Sequence, residues 1–102
     1  MLSEGYIDFE WDPNKAEISV AKHGVTFKEA ATVFGDPYAR VIDDPDHSLD
    51  EERFVIIGLS SRANVLTVCH CLRGKGSIIR IISARKATKN ELRQYWRHCH
   101  EG

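Results

Sequence analysis

Arginines set in an apolar strand are the first residues of this 102-residue chain whose type and surroundings suggest chemistry. The run Ser77-Ile78-Ile79-Arg80-Ile81-Ile82-Ser83-Ala84-Arg85-Lys86 holds two arginines among four isoleucines. β-Branched side chains pack well on a pleated surface, so such a run reads as a strand buried on both faces. A guanidinium enters a strand of this kind only with a partner or a task. Its planar fork meets two phosphate oxygens at once, which suits the charge that develops on phosphorus when a phosphodiester is cut. Cutting RNA without a metal also needs a base for the 2′-hydroxyl and an acid for the leaving oxygen. Arg80 and Arg85 are therefore the candidates for the phosphorane, Glu52 or His70 for the base, and His23 or Tyr95 for the leaving group. Arg53, Arg73, Lys86 and Lys22 are candidates for holding the RNA backbone. Strict alternation would put Ile78, Arg80, Ile82 and Ala84 on one face and Ile79, Ile81, Ser83 and Arg85 on the other. The two arginines then serve one site only if the strand bulges or ends between them.

Each candidate also has a plainer reading. Arg80 is either a phosphate contact or one half of a buried ion pair, with Glu52 as the partner. Arg85 and Lys86 precede a helix, where solvent suffices for both. His23 falls in the last turn of a helix, where an imidazolium complements the C-terminal dipole. Tyr95 and Trp96 stand at the spacing of a packed helix face or of a base-stacking platform. Metal ligation has little to build on, because the chain has no C-x₂-C pair and no H-E-x-x-H. Gly74-Lys75-Gly76 is a turn between strands rather than a glycine loop opening a helix, so no nucleotide cofactor is expected.

The net charge of −1 hides an uneven distribution. Residues 1–52 carry four Lys/Arg against 13 Asp/Glu, and residues 53–102 carry ten against two. A basic half suits a polyanion, or else neutralises the acidic half across the fold. The length fits one domain with one core, residues 1–102. No apolar run approaches the roughly 20 residues of a membrane span. The three cysteines and an acidic start without an apolar stretch fit reduced thiols in a cytoplasm.

The elements that must position these residues follow from local signals. Tyr6–Glu10 alternates as a strand, and Asp12-Pro13 opens a helix running to about Lys22, with Ala16, Val20 and Ala21 inward and Gly24 behind it. Thr26-Phe27-Lys28-Glu29 is a capping box for a short helix ending at Gly35. Tyr38–Ile42 reads as a strand, followed by an acidic turn over Asp43–His47. Arg53–Ser60, Val65–Leu72 and Ser77–Arg85 form a meander with short links, and Thr88-Lys89-Asn90-Glu91 caps a last helix. Helices segregated from an antiparallel sheet define an α+β domain.

These residues fall into strings that resemble the BrnT-type toxins. The strings are Phe9-Glu10-Trp11-Asp12-Pro13-Asn14-Lys15-Ala16, Lys22-His23-Gly24-Val25-Thr26-Phe27-Lys28-Glu29-Ala30 and Phe34-Gly35-Asp36-Pro37, then Glu51-Glu52-Arg53-Phe54, Ile57-Gly58 and Arg80–Thr88. The resemblance implies a RelE-like α+β fold with two N-terminal helices, an antiparallel sheet and a C-terminal helix. It implies a ribonuclease toxin of a type II toxin–antitoxin system that inhibits translation. Its partner would be a BrnA-type antitoxin with a DNA-binding domain, in a hetero-oligomer that represses its own operon. That antitoxin is expected to cover the basic sheet face, since opposite charge steers association. Two departures stand out: Ser19 replaces an expected asparagine, and His70-Cys71-Leu72 replaces an expected Tyr-Thr-Glu stretch. The rival class is a non-catalytic module that binds nucleic acid or antitoxin within a repressor complex.

Overall fold

The structure is a computed structural model and describes residues 8–44 and 52–101. The start of the first expected strand and most of the acidic turn after Asp43 lie outside those residues.

Local chemistry sets the helices. Asp12 accepts the Asn14 N–H through Oδ1 at 2.8 Å and starts α1 (Pro13–His23), which ends where Gly24 takes φ 68°. A left-handed residue at that position is natural to glycine, which has no Cβ to clash. Thr26 caps α2 (Phe27–Thr32) through its Oγ1, at 3.0 Å from the Glu29 N–H, and the chain tightens into a 3₁₀ turn over Val33–Gly35. Glu29 does not turn back to complete that capping box. Its carboxylate accepts the Ser60 hydroxyl at 2.7 Å and the Asn64 amide at 2.9 Å, pinning α2 to the turn after β3. The box at α3 (Lys89–Glu101) is complete, with Thr88 N–H to Glu91 Oε1 at 2.9 Å and Glu91 N–H to Thr88 Oγ1 at 3.1 Å.

Five strands form one sheet: β1 (Asp8–Trp11), β2 (Arg40–Asp43), β3 (Phe54–Leu59), β4 (Val65–Arg73) and β5 (Ile78–Lys86), in the order β1-β5-β4-β3-β2. The strands β3, β4 and β5 are antiparallel as their short links require, β2 pairs antiparallel with β3, and β1 joins the edge of β5 in parallel. A parallel neighbour needs a long crossover, and α1, α2 and the rest of the sheet supply it.

Each sheet face has its own core. On one face Val25, Phe27, Ala30 and Val33 pack against Ile56, Leu66, Val68, Ile79, Ile81 and Ala84. Gly58 lets the 3₁₀ turn and the chain after it lie close, since a Cβ there would meet Val33 Cβ and O at 3.3 Å and Ala39 Cβ at 3.0 Å. On the other face α3 lays Tyr95, Leu92 and Cys99 over Ile57, Val65, Val55 and Leu59. Burying a side chain such as Phe27 or Leu66 contributes about 1.5–3 kcal/mol, so these two clusters hold the layers together.

The inward face of α1 differs from the expected one. Val20 is 48% exposed and Ala21 is exposed, whereas Ser19 is buried. The Ser19 hydroxyl lies 2.8 Å from Val25 O and 3.2 Å from Ala84 O, so it fastens α1 to β5 by polar contacts. Helix phase decides the rest: Ala16 and Ser19 share the inward stripe, and Val20 follows one position too late.

Candidate functional site

Alternation in β5 breaks where the site needs it to. Cys69 of β4 faces Ser83, the next residue His70 faces Ile81, and Ile82 is left without an opposite number. This bulge returns Ala84 to the face of Ile79 and Ile81, and turns Arg85 onto the face of Arg80. Both arginines therefore share the sheet face on which α3 stands. Each is paired with a different carboxylate, Arg80 with Glu10 and Arg85 with Glu91. Arg80 lies opposite Cys71 and Arg85 opposite Thr67, four residues apart on β4 or about 13 Å along the sheet.

At one end of this face Glu10 of β1, paired directly with Arg80, gathers two guanidiniums. Its Oε2 lies 2.8 Å from Arg80 Nη1 and 3.6 Å from Arg73 Nε. The Arg80 partner is thus Glu10, not the Glu52 expected from sequence. Arg73 continues into an open cleft of about 270 Å³ that it lines with Glu52, Phe54, Cys71 and Leu72. Arg80 is held in its charged form by the hydrogen bond to Glu10.

At the other end Arg85 grips Glu91 with two bonds, Nη1 to Oε1 at 2.7 Å and Nη2 to Oε2 at 3.0 Å. Thr67 adds its hydroxyl to the same carboxylate at 2.9 Å. The Arg85 bond is the main reason the Glu91 carboxyl is held down to about 2, with the Thr88 N–H and Thr67 assisting. Between the two ends lie Ser83 and Cys69, with Arg53 near the thiol; burial and the bond to Asp44 push the Cys69 thiol up to about 12. Such a thiol stays protonated and is no nucleophile.

The remaining candidates are placed elsewhere. His70 is buried on the opposite face, its ring centroid 4.9 Å from that of Phe34 and 5.9 Å from that of Phe54. Burial lowers its pKa, so it sits there as a neutral ring. Tyr95 is buried under α3 and donates its hydroxyl to Asp36 Oδ2 at 2.6 Å. His23 and Lys22 end α1, where they line a groove with Ile18 and Ile82. Lys86 closes β5 and is exposed, its charge acting on Glu29. The structure thus brings Arg73 and Glu52 to one cleft and ties Arg80 to Arg73 through Glu10, while His70 lies behind the cleft residue Phe54 and neither His23 nor Tyr95 lines the cleft. The residue that sequence reasoning missed is Glu10. Its signal is a carboxylate set between Phe9 and Trp11 in a strand, a charge that needs a cross-strand partner.

Among the described residues, no three His, Cys, Asp or Glu side chains gather as a ligand set, and no helix is long and apolar enough to cross a membrane. A family model described as "Ribonuclease toxin, BrnT, of type II toxin-antitoxin system" matches residues 11–91. The chain belongs to the BrnT family. Membership brings with it an RNA substrate and an antitoxin partner. The BrnT architecture recurs in a solved structure: the crystal structure of the Brucella abortus ribonuclease toxin, BrnT, superimposes with a TM-score of 0.61 at 24% identity, over 81% of this chain and 99% of that one. No curated protein matches the sequence significantly. The BrnT match contains Glu52, Arg53, Arg73, Arg80 and Arg85, and begins one residue after Glu10.

Proposed function

We propose that this BrnT-family chain is a metal-independent endoribonuclease toxin that arrests translation by cutting RNA in the cytoplasm. One observation carries the reading: Glu10 holds Arg73 and Arg80 together beside a cleft that Glu52 also lines. A single Arg80 N–H is committed to Glu10, and guanidinium has five to offer, so the others are free to meet phosphate oxygens. In this mechanism Glu52 takes the 2′-hydroxyl proton and O2′ bonds to phosphorus. Arg80 and Arg73 balance the added charge on the phosphorane. The bond from phosphorus to O5′ then breaks, and O5′ takes a proton from solvent, leaving a cyclic phosphate and a 5′-hydroxyl. Arg85 carries less of this chemistry, because its fork is filled by Glu91. Arg53 and Lys86 serve RNA backbone contact.

The antitoxin in this reading is a BrnA-type DNA-binding protein that covers the basic sheet face and represses the operon as a complex. The test is RNA cleavage in excess chelator by wild type, Arg80→Ala and Glu52→Gln. Loss of a contact made to the transition state should lower the rate about 10²–10³-fold. Undiminished cleavage by both variants overturns the assignment. The separate pairing of Arg80 with Glu10 and of Arg85 with Glu91 favours a second reading, a non-catalytic binding module. It predicts salt-sensitive RNA binding with no product.

A further inference from the structure

The outer surface of α3 carries positive charge of a different kind from that on the sheet. Arg73, Arg80 and Arg85 each face a carboxylate. Lys89, Arg93 and Arg97 recur every four residues along α3, all exposed, and none forms an ion pair among the described residues. Helix geometry gathers them into a sector of about 80° and a length of about 12 Å. Each stands one turn from the next, and like charges at that spacing destabilise a helix. The carboxylates of α3 leave Lys89 and Arg93 unrelieved: Glu91 is committed to Arg85, and Glu101 stands one turn beyond Arg97, the last of the three. There Arg97 meets Arg40 of β2 and His98 across a hollow of about 260 Å³ that also holds Gln94 and Glu101.

An aromatic completes the sector. Trp96 is 47% exposed and is held edge-on against Tyr95, with ring centroids 5.0 Å apart. Cations tracking a backbone beside an indole offered for stacking is how proteins hold single-stranded nucleic acid. We infer that the outer face of α3 is a second RNA contact, laying backbone phosphates on Lys89, Arg93 and Arg97 and a base on Trp96. The inference rests on the ribonuclease reading for its ligand class. Because α3 stands on the same sheet face as Arg80, RNA leaving the cleft reaches it without crossing the sheet. Arg93, Trp96 and Arg97 follow the stretch shared with the BrnT model. An acidic protein segment fits less well, since a protein interface wants an apolar centre and this sector offers one indole among cations.

The test uses a labelled single-stranded RNA with 2′-O-methyl groups, so that binding is read without cleavage. The triple variant Lys89→Gln/Arg93→Gln/Arg97→Gln should bind roughly 10–100-fold more weakly, and its log–log salt slope should fall by about 2, three phosphates at about 0.7 each. Trp96→Ala should weaken binding roughly 5- to 100-fold. The triple variant should melt no lower than wild type, because glutamine keeps helix propensity and removes the repulsion. Cleavage of a short RNA confined to the cleft should be unchanged. Equal affinity and equal slope overturn the inference. So does a triple variant that keeps RNA binding but no longer captures its antitoxin. Wild type that binds through this face yet cuts no RNA upholds the inference while sinking the nuclease reading.

Discussion

Glu91 closes the N-terminus of α3 and clamps Arg85 of β5 with the same carboxylate. One side chain therefore welds the C-terminal helix to the strand that carries the site. Glu91→Gln should lower unfolding free energy at pH 7 by about 1–2 kcal/mol, allowing for solvent screening of the partly exposed Arg85. The sign of the pH effect follows from the depressed carboxyl. The unfolded group titrates near 4.5 and the folded one at about 2. The stability is thus present above 4.5 and is lost as pH falls towards 2. Urea denaturation across that window should show wild type losing its advantage over Glu91→Gln; a gap that does not change with pH would mean the charge of the clamp contributes nothing.

Tyr95, which the sequence offers as an acid for the leaving group, instead ties α3 to the turn before β2 through Asp36. Burial, then the bond to Asp36, pushes the phenol well above its ordinary range, so it holds its proton at any working pH. Asp36 is held below the usual carboxylate range, since the N–H groups of Leu59 and Tyr38 and the Tyr95 hydroxyl together outweigh its burial. Tyr95→Phe should cost about 1–3 kcal/mol of stability, because Asp36 loses a partner in a half-buried site. Its kcat for RNA cleavage, measured below the midpoint of unfolding, should match wild type. A tenfold fall in kcat with the fold intact would return Tyr95 to the chemistry.

Much of this fold is written in short-range chemistry, and the site is not. Asp12-Pro13, Gly24, Thr26 and Thr88 mark helix ends because each acts on the backbone within four residues. The arginine strand is legible from its composition. The bulge at Ile82 is not, because nothing in the run Ile81-Ile82-Ser83 demands an extra residue until β4 fixes the register on both sides. Nor does local sequence reveal that Glu10, 70 residues before Arg80, will lie beside it, since that depends on β1 joining β5 in parallel. The capping glutamates show both outcomes. Glu91 completes its box and Glu29 abandons it for Ser60 and Asn64, a choice made by tertiary neighbours. The burial of His70 is hidden for the same reason: a histidine in an apolar strand looks functional until Phe34 and Phe54 are seen to pack on it.

Glu10 sets the position of two guanidiniums and also neutralises part of their charge, so removing its charge should separate binding from chemistry. In Glu10→Gln, Arg73 and Arg80 keep a hydrogen-bonding neighbour but lose a competing anion. RNA should bind several-fold more tightly, since fewer opposing charges meet the phosphate. kcat should fall about tenfold, because the guanidiniums are less firmly placed for the phosphorane. Steady-state kinetics with 2′-O-methyl RNA as a competitive binder would read both quantities. A variant that loses affinity while keeping kcat would show that Glu10 orders the strand edge rather than the site.

His70 offers the clearest pH test, because burial acts on it almost alone. Its folded pKa lies below the ordinary 6.5, with the contact to Val68 O working weakly the other way. Above 6.5 the ring is neutral in both states and contributes no pH dependence. Below 6.5 the unfolded chain takes the proton first, so stability falls as pH drops towards the folded pKa. His70→Leu keeps an apolar body between Phe34 and Phe54 and removes this titration. The difference in urea midpoint between the two proteins should therefore shift in favour of the variant from pH 7.5 to pH 5. RNA cleavage should survive the substitution, since the ring lies on the sheet face opposite Arg80. Loss of cleavage with a native melting profile would place His70 back in the mechanism and remove the opposite-face assignment.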